Sequence, residues 1–526
     1  MSDDFLTSEQ TENYGRYVAD PNEVQLARYF HLDERDLAFI NQRRGKHNRL
    51  GIALQLTTAR FLGTFLPDPL QIPSFIRFYI AAQLNISRPE ILSRYAEREN
   101  TRWEHQGLIK LYYDYHDFGD FPWTFRLKRL LYTRAWLSNE RPGLLFDFAT
   151  AWLLQNKILL PAASTLTRLI GEVRERASRR LWRRLALLPD SWQKTQLDGL
   201  LEIPEGQRMS VLEEMRKGPV TISGPSFTDA LERYTRLRSM EFSRLNFSGL
   251  PAIQLRNLAR YAGMASVKYI SRMPDERRLA VLTAFVKAQE ISALDEAVDV
   301  LDMLILDITR SAKNIGQKKR LRTLKDLDRA ALLLARACTL LLDENTDEAA
   351  LRQAIFRRIP KDKLAESVGK VNELARPQDT QFQDEMVEQY GRVKRFLSAM
   401  LRDLHFQAAP AGELTLSAIH YLAELSGSKK RILDDAPEQI ISGPWKRLVY
   451  DRDGRILRAG YSLCLLERLQ DSLRRRDLWL ENSDRWGDPR QKLLQGAEWQ
   501  AQRIPVCRAL GHPSDGTKAA EQLATR

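Results

Sequence analysis

Apolar residues in this chain recur at steps of three and four far more than at steps of two. Between Thr165 and Leu188, the residues Leu166, Leu169, Ile170, Val173, Ala177, Leu181 and Leu185 fall on one stripe, which predicts an amphipathic helix with a core-facing side. Similar patterns run through 51–64, 121–137, 143–157, 274–309, 325–342, 379–404 and 457–474, with Pro and Gly mostly between them. Alternating apolar and polar positions are scarce. The best strand signal is WKRLVYDRDGRILRAGY, from Trp445 to Tyr461, where Asp453-Gly454 would close a short hairpin. The chain therefore reads as mainly α, and breaks near Pro67 to Pro73, Phe118 to Pro122, Ile203 to Phe227, Pro360 and Ala408 to Gly412 divide it into a multi-domain array.

Composition changes this picture in two ways. With 43% hydrophobic and 28% charged residues over 526 positions, the chain has the make-up of a folded protein, not of a disordered one. It carries 81 Lys and Arg against 68 Asp and Glu, a net +13, and 60 of the 81 are Arg. Arg offers a planar fork that grips phosphate at two points and stacks on bases, so the surplus leans towards a nucleic-acid partner. Cys338, Cys464 and Cys507 are far apart and form no CxxC pair, which fits a reducing compartment and argues against structural zinc. The start, MSDDFLTSEQTENYG, lacks the basic and apolar regions of a signal peptide, and no apolar stretch approaches the roughly 18 residues of a membrane span. The expectation is a soluble cytoplasmic protein with no membrane partner.

Local signatures of chemistry are missing. The histidines His31, His47, His105, His116, His405, His420 and His512 form no HExxH, HxH or Cys/His cluster, so no metal site is assigned. There is no GxxxxGK[ST] loop, GxGxxG turn or GxSxG elbow, and no catalytic residue is assigned. Scattered carboxylates holding divalent ions, as in nucleases, stay open as a reading, since such sets need no fixed spacing.

Basic clusters say more. Arg43, Arg44, Lys46 and Arg49, with His47, lie just ahead of the apolar run IALQLTTARFLG, where positive charge would oppose the helix-start dipole. Either a phosphate backbone or solvent would satisfy them. A rotation of about 100° per residue puts Arg168, Arg176, Arg179 and Arg183 opposite the apolar stripe of 165–188, an arginine ridge interrupted by Glu172. Such a ridge suits a DNA strand or a major groove, and equally a solvated face with internal ion pairs. Lys318, Lys319, Arg320 and Arg322 fall between two helical segments, and Arg474, Arg475 and Arg476 lie beside Trp479 and Trp486.

At these clusters the sequence resembles a known family. LDERDLAFINQRRGKHNRLGIALQLTTARFLG is similar to the amino-terminal signature of Tn-three-type replicative transposases. The resemblance continues in SRYAERENTRWEHQGLIKLYYDYHDF at 93–118, in LLPAASTLTRLIGEVRERASRRLW at 159–182 and from Trp445 to Trp499, and more loosely from about 190 to 440. Asn482-Ser483-Asp484-Arg485 departs from the Gly-Ser-Arg form common in the family.

The resemblance implies helical DNA-binding domains that recognise the terminal inverted repeats of a transposon, followed by a dimerisation region. It also implies a catalytic RNase H-like half whose Asp-Asp-Glu triad holds Mg²⁺. The segment ending this chain looks like sequence upstream of that half, so the triad, and with it any cofactor, is expected to be missing here. On this footing residues 1–66 and 67–120 are a first and a second helical DNA-binding domain, and 121–205 is a helical domain carrying the Arg-rich helix. Residues 206–405 are a DNA-binding or linking region, and 406–526 a dimerisation region. The implied function is sequence-specific binding of double-stranded DNA and assembly of the transposition complex, as a homodimer, nucleoid-associated in a bacterial cytoplasm. The alternative is a truncated remnant that dimerises with an intact transposase and inhibits it. The DNA-contacting residues expected are Arg43, Arg44, Lys46, Arg49, Arg168, Arg176, Arg179, Arg183, Lys318, Lys319, Arg320 and Arg322.

Overall fold

The computed structural model describes residues 5–97, 99–342, 351–374, 382–428, 430–493 and 496–509. The chain is mainly α. Its longer helices begin with α1 (Glu34–Asn41), α2 (Lys46–Leu62), α3 (Ser74–Gln83), α4 (Glu99–Tyr113), α5 (Trp123–Leu137), α6 (Pro142–Gln155) and α7 (Ala163–Ala186). They continue with α8 (Gly224–Ser239), α9 (Ala252–Met264), α10 (Asp275–Leu341), α11 (Leu351–Arg358), α12 (Lys361–Leu374), α13 (Tyr390–Asp403), α14 (Glu413–Glu424) and α15 (Arg458–Arg475). Among the described residues no helix is long and apolar enough to cross a membrane.

The chain divides into two compact units, one of residues 1–197 and 246–285 and the other of 198–245 and 286–526. Residues 246–285, which the sequence placed within the 206–405 region, thus belong with the amino-terminal unit.

In the first unit, one core draws on residues from Leu26 to Tyr113, so the boundary expected at 66/67 runs through shared packing. Its axis is α2, buried from Leu50 to Ala59. Gly51 lets the ring of buried Tyr95 lie against the helix, because a Cβ there would come within 2.3 Å of that ring. Gly63, at φ 74°, ends α2 in the left-handed conformation that glycine adopts at no steric cost. Buried Asp36 of α1 accepts from both Nη atoms of Arg60 at 2.7 and 2.5 Å and from the Tyr113 hydroxyl at 2.7 Å, which ties α1, α2 and α4 together. Burial alone would push the Asp36 carboxyl up, but these partners hold it below the ordinary range. A second core packs α5, α6 and α7 around Leu127, Leu131, Leu145, Ala149, Leu153, Leu166 and Ile170. A third joins Leu181 and Leu185 of α7 to Leu255 and Leu258 of α9 and to Ala280.

In the second unit the sequence expected helices at 274–309 and 325–342, with a basic linker between them; α10 instead runs unbroken from Asp275 to Leu341. No Pro interrupts it and its only glycine is Gly316, which costs a helix interior only about 1 kcal/mol. The central helix α15 buries Leu463, Cys464, Leu465, Leu466, Leu469 and Leu473. Two small antiparallel ladders complete the unit: β1 (Phe406–Ala408) pairs with β4 (Leu478–Leu480), and β2 (Ile432–Leu433) with β3 (Ile456–Leu457).

The hairpin expected over 445–461 is reduced to a tight turn. Asp451 N–H donates to the Arg455 carbonyl at 2.9 Å, Gly454 takes φ 76°, and a single bridge joins Tyr450 to Ile456. Its first arm is a short helix, Lys446–Val449, because Trp445 and Val449, four positions apart, both enter the core.

Candidate nucleic-acid interface

The arginine ridge lies where the helical period put it. In α7 the stripe Leu166, Leu169, Ile170, Val173, Ala177, Leu181 and Leu185 is buried, and Arg168, Arg176, Arg179 and Arg183 are all exposed on the opposite side. The four are not equivalent. Arg179 pairs with Glu175 at 2.7 Å and Arg168 stands 4.0 Å from Glu172, whereas the side chains of Arg176 and Arg183 have no ion pair or hydrogen bond among the described residues.

Two neighbouring arginines of the same helix serve the fold. Arg180 donates to the Tyr132 hydroxyl at 3.1 Å and lies 5.0 Å over the Trp136 ring, and Arg184 donates to the Gly249 carbonyl at 3.2 Å. The ridge thus offers two uncommitted guanidiniums, about 10 Å apart at 1.5 Å rise per residue.

The first basic cluster divides in the same way. Gly45, at φ 83°, starts α2 at Lys46, so Lys46, His47 and Arg49 sit in its first turn. Arg49 donates to the carbonyls of Arg43 at 3.0 Å and Asn41 at 3.4 Å. It therefore satisfies the end of α1, where helix carbonyls lack partners, and so answers the dipole conflict seen in the sequence. The Arg43 guanidinium lies over the Phe39 ring at 5.3 Å, and its charge, after burial, helps push buried His105 down to about 4. Arg44 and Lys46 remain exposed and free of ion pairs among the described residues.

Lys318 is exposed on α10, but it lies inside that helix and not in a linker, while the side chains of Lys319, Arg320 and Arg322 lie outside the described residues. Within the Arg474–Arg476 cluster, Arg474 and Arg476 are committed to packing, while Arg475 is exposed. Arg474 donates to both Asp302 carboxylate oxygens at 2.9 and 3.0 Å. Arg476 lies 4.9 Å over Trp486, whose indole N–H donates to Asp299 at 2.8 Å. Arg485 pairs with Asp299, and Ser483 donates to Asp295, whose carboxyl burial pushes up. Asp295, Asp299 and Asp302, at four- and three-residue steps on α10, thus form an acidic stripe that holds the last turn of α15 through Asp302 and the segment following it through Asp295 and Asp299.

Two basic surfaces of the first unit were missed. From Phe121 to Asn139 the chain has no Asp or Glu, and α5 exposes Arg126, Lys128 and Arg129. From Phe242 to Pro274 there is again no acid, and Arg256, Arg260, Lys268 and Arg272 are exposed on and after α9. The signal was available as absence of acid, which a search for clustered cations overlooks.

Among the described residues no three His, Cys, Asp or Glu side chains lie close enough together to hold a metal ion. What the first unit offers chemically is unpaired cationic charge on exposed helices, suited to a polyanion.

Residues 5–173 match a family model described as a domain of unknown function, DUF4158. Over 524 residues the chain is 78% identical to the transposase for transposon gamma-delta of Escherichia coli strain K12, an alignment covering 100% of this chain and 52% of that protein. It is 28% identical to the transposase for transposon Tn501 of Pseudomonas aeruginosa, over 90% of this chain and 48% of that one. It is 26% identical to the transposase for transposon Tn1546 of Enterococcus faecium, over 94% and 50% respectively. The chain spans about half the length of the curated relatives it matches.

Proposed function

We propose that this chain, a relative along its whole length of Tn3-family transposases, binds the terminal inverted repeats of a transposon as double-stranded DNA and takes part in assembling the transposition complex. The observation that carries the reading is that Arg176 and Arg183, on a helix whose other side is packed, are exposed and without an ion pair among the described residues. Exposed cations without acidic partners release counterions from a phosphate backbone, and this supplies affinity that falls with salt. Arg44 and Lys46, and the acid-free surfaces of α5 and 242–274, extend the same positive field.

The reading includes self-association as a homodimer. It places the protein with the nucleoid in a bacterial cytoplasm.

The test is a gel-shift titration of the chain against a duplex bearing the terminal repeat and a scrambled duplex, at two salt concentrations. Binding to the repeat roughly 10³-fold tighter than to the scrambled duplex is the expected result. Failure to bind either duplex would refute DNA binding, and equal, salt-sensitive binding to both would refute end recognition. Sedimentation of the chain without DNA tests the dimer.

A further inference from the structure

Helix α5 sets exposed cations beside large exposed apolar side chains along one face. One side buries Leu127 and Leu131 and packs Trp123, Tyr132, Ala135 and Trp136 against the neighbouring helices, while Phe125, Arg126, Lys128, Arg129, Leu130, Thr133 and Leu137 are all exposed. At about 100° per residue these seven cover roughly 200° of the circumference, so the helix stands proud of its neighbours. Its carboxy-terminal end is pinned, since the Gln254 side-chain amide of α9 donates to the carbonyls of Ala135 at 3.1 Å and Ser138 at 2.7 Å. The amino-terminal end is anchored by Trp123, which packs against the core beside Trp152 and His116, and by the Thr124 hydroxyl, which donates to the Phe118 carbonyl, while Phe121 just ahead of it and Phe125 stay exposed.

The chemistry of this face is mixed in a particular way. Phe121 is 88% exposed and Phe125 62%, on a stretch with no acid, and Lys128 and Arg129 have no acidic partner among the described residues. A solvated helix face carries opposite charges at four-residue steps, as α7 does with Glu172 and Glu175. A helix that only holds a phosphate backbone needs cations alone. Phe125, Arg129 and Thr133, at successive four-residue steps, instead combine a fork for guanine O6 and N7 with apolar and methyl-bearing groups for the thymine methyl.

We propose that α5 enters the major groove of the bound duplex, where Arg129, Thr133 and Phe125 read base edges while Arg176 and Arg183 of α7 hold the backbone. This rests on the DNA-binding reading above and names the element that makes it selective. Charge complementarity selects the occupant, since an acid-free cationic helix face meets a groove walled by phosphates and wide enough to admit a helix.

The experiment is a fluorescence anisotropy titration of the full chain, with the repeat duplex and the scrambled duplex, for wild type, Arg129→Ala, Thr133→Ala and Arg129→Lys. Arg129→Ala is expected to weaken repeat binding roughly 10- to 100-fold while leaving scrambled-duplex binding within about twofold. Arg129→Lys is expected not to restore selectivity, because a point charge does not reproduce the fork. A repeat duplex with uracil in place of thymine, offered to the unaltered wild-type chain, removes the methyl groups without any change to the protein and is expected to bind several-fold more weakly.

Selective wild-type binding that survives all of these changes would overturn the role of α5 and leave DNA binding standing. Equal weakening on both duplexes by Arg129→Ala would make α5 a backbone contact and overturn base reading. Loss of self-association in Phe125→Ser, with DNA binding intact, would make the face a protein contact and overturn it as well. Wild type that binds neither duplex would instead defeat the underlying DNA-binding reading.

Discussion

Replacing both Arg176 and Arg183 by Ala tests the backbone-holding role of α7 with a number attached. Both side chains are exposed, and neither has an ion pair or hydrogen bond among the described residues, so their removal leaves no buried group behind and the fold intact. Each phosphate contact contributes about −0.9 to the slope of log affinity against log salt, so losing two should flatten the slope by about 1.8. Between 50 and 200 mM salt, a fourfold change, one contact is worth roughly 3.5-fold and two roughly 12-fold. The loss relative to wild type should therefore be about 12 times larger at the lower salt than at the higher. The assay is an anisotropy titration on a repeat-bearing duplex at four salt concentrations, with a helicity check by circular dichroism. Lys at both positions should restore the slope, because backbone attraction needs the charge and not the fork. A wild-type slope in the double Ala variant would show that the ridge stands away from the duplex and that α7 does not hold its backbone.

Three further outcomes concern the core that carries the first basic cluster. Asp36→Ala leaves the Arg60 guanidinium and Tyr113 hydroxyl without their shared acceptor, and should cost about 3 kcal/mol, read as faster amide exchange across α1, α2 and α4. Gly51→Ala brings a Cβ within 2.3 Å of the buried Tyr95 ring and should cost about 1–3 kcal/mol in the same measurement, whereas Gly107→Ala, where nothing lies within 4 Å, should cost nothing. Acid should loosen this core through two groups. Asp36 has its folded value below the ordinary 3.8, so its contribution is present above that range and disappears as pH falls through the lower folded value. His105 is pushed from 6.5 down to about 4 by burial and Arg43, so the unfolded chain takes up its proton first and stability falls as pH drops from about 6.5 to 4. His105→Phe should flatten the upper part of that profile in an exchange or melting series, and an unchanged profile would remove His105 from the account.

Helical periodicity was enough to place α7, its buried stripe and the outward direction of Arg168, Arg176, Arg179 and Arg183, because a 3.6-residue repeat decides which side chains share a side. The family resemblance was legible for a similar reason, since long signatures such as the stretch around Arg43–Arg49 need no structure to be matched. Which of those cations are available was decided by tertiary contacts. Arg49 ends on the carbonyls of Asn41 and Arg43, at and just past the end of α1, Arg180 and Arg184 on Tyr132 and Gly249, and Arg474 on Asp302, whereas Arg44, Lys46, Arg176 and Arg183 meet no acid among the described residues. Partners 48, 65 and 172 positions away cannot be read from local spacing. The continuity of α10 escaped for the opposite reason, since its polar stretch around Lys318 breaks the apolar pattern without breaking the backbone. Hydrophobic spacing along one chain thus determines elements and their faces, while the return of 246–285 to the amino-terminal unit and the choice of committed and free arginines belong to packing, where distant residues compete for the same hydrogen bonds.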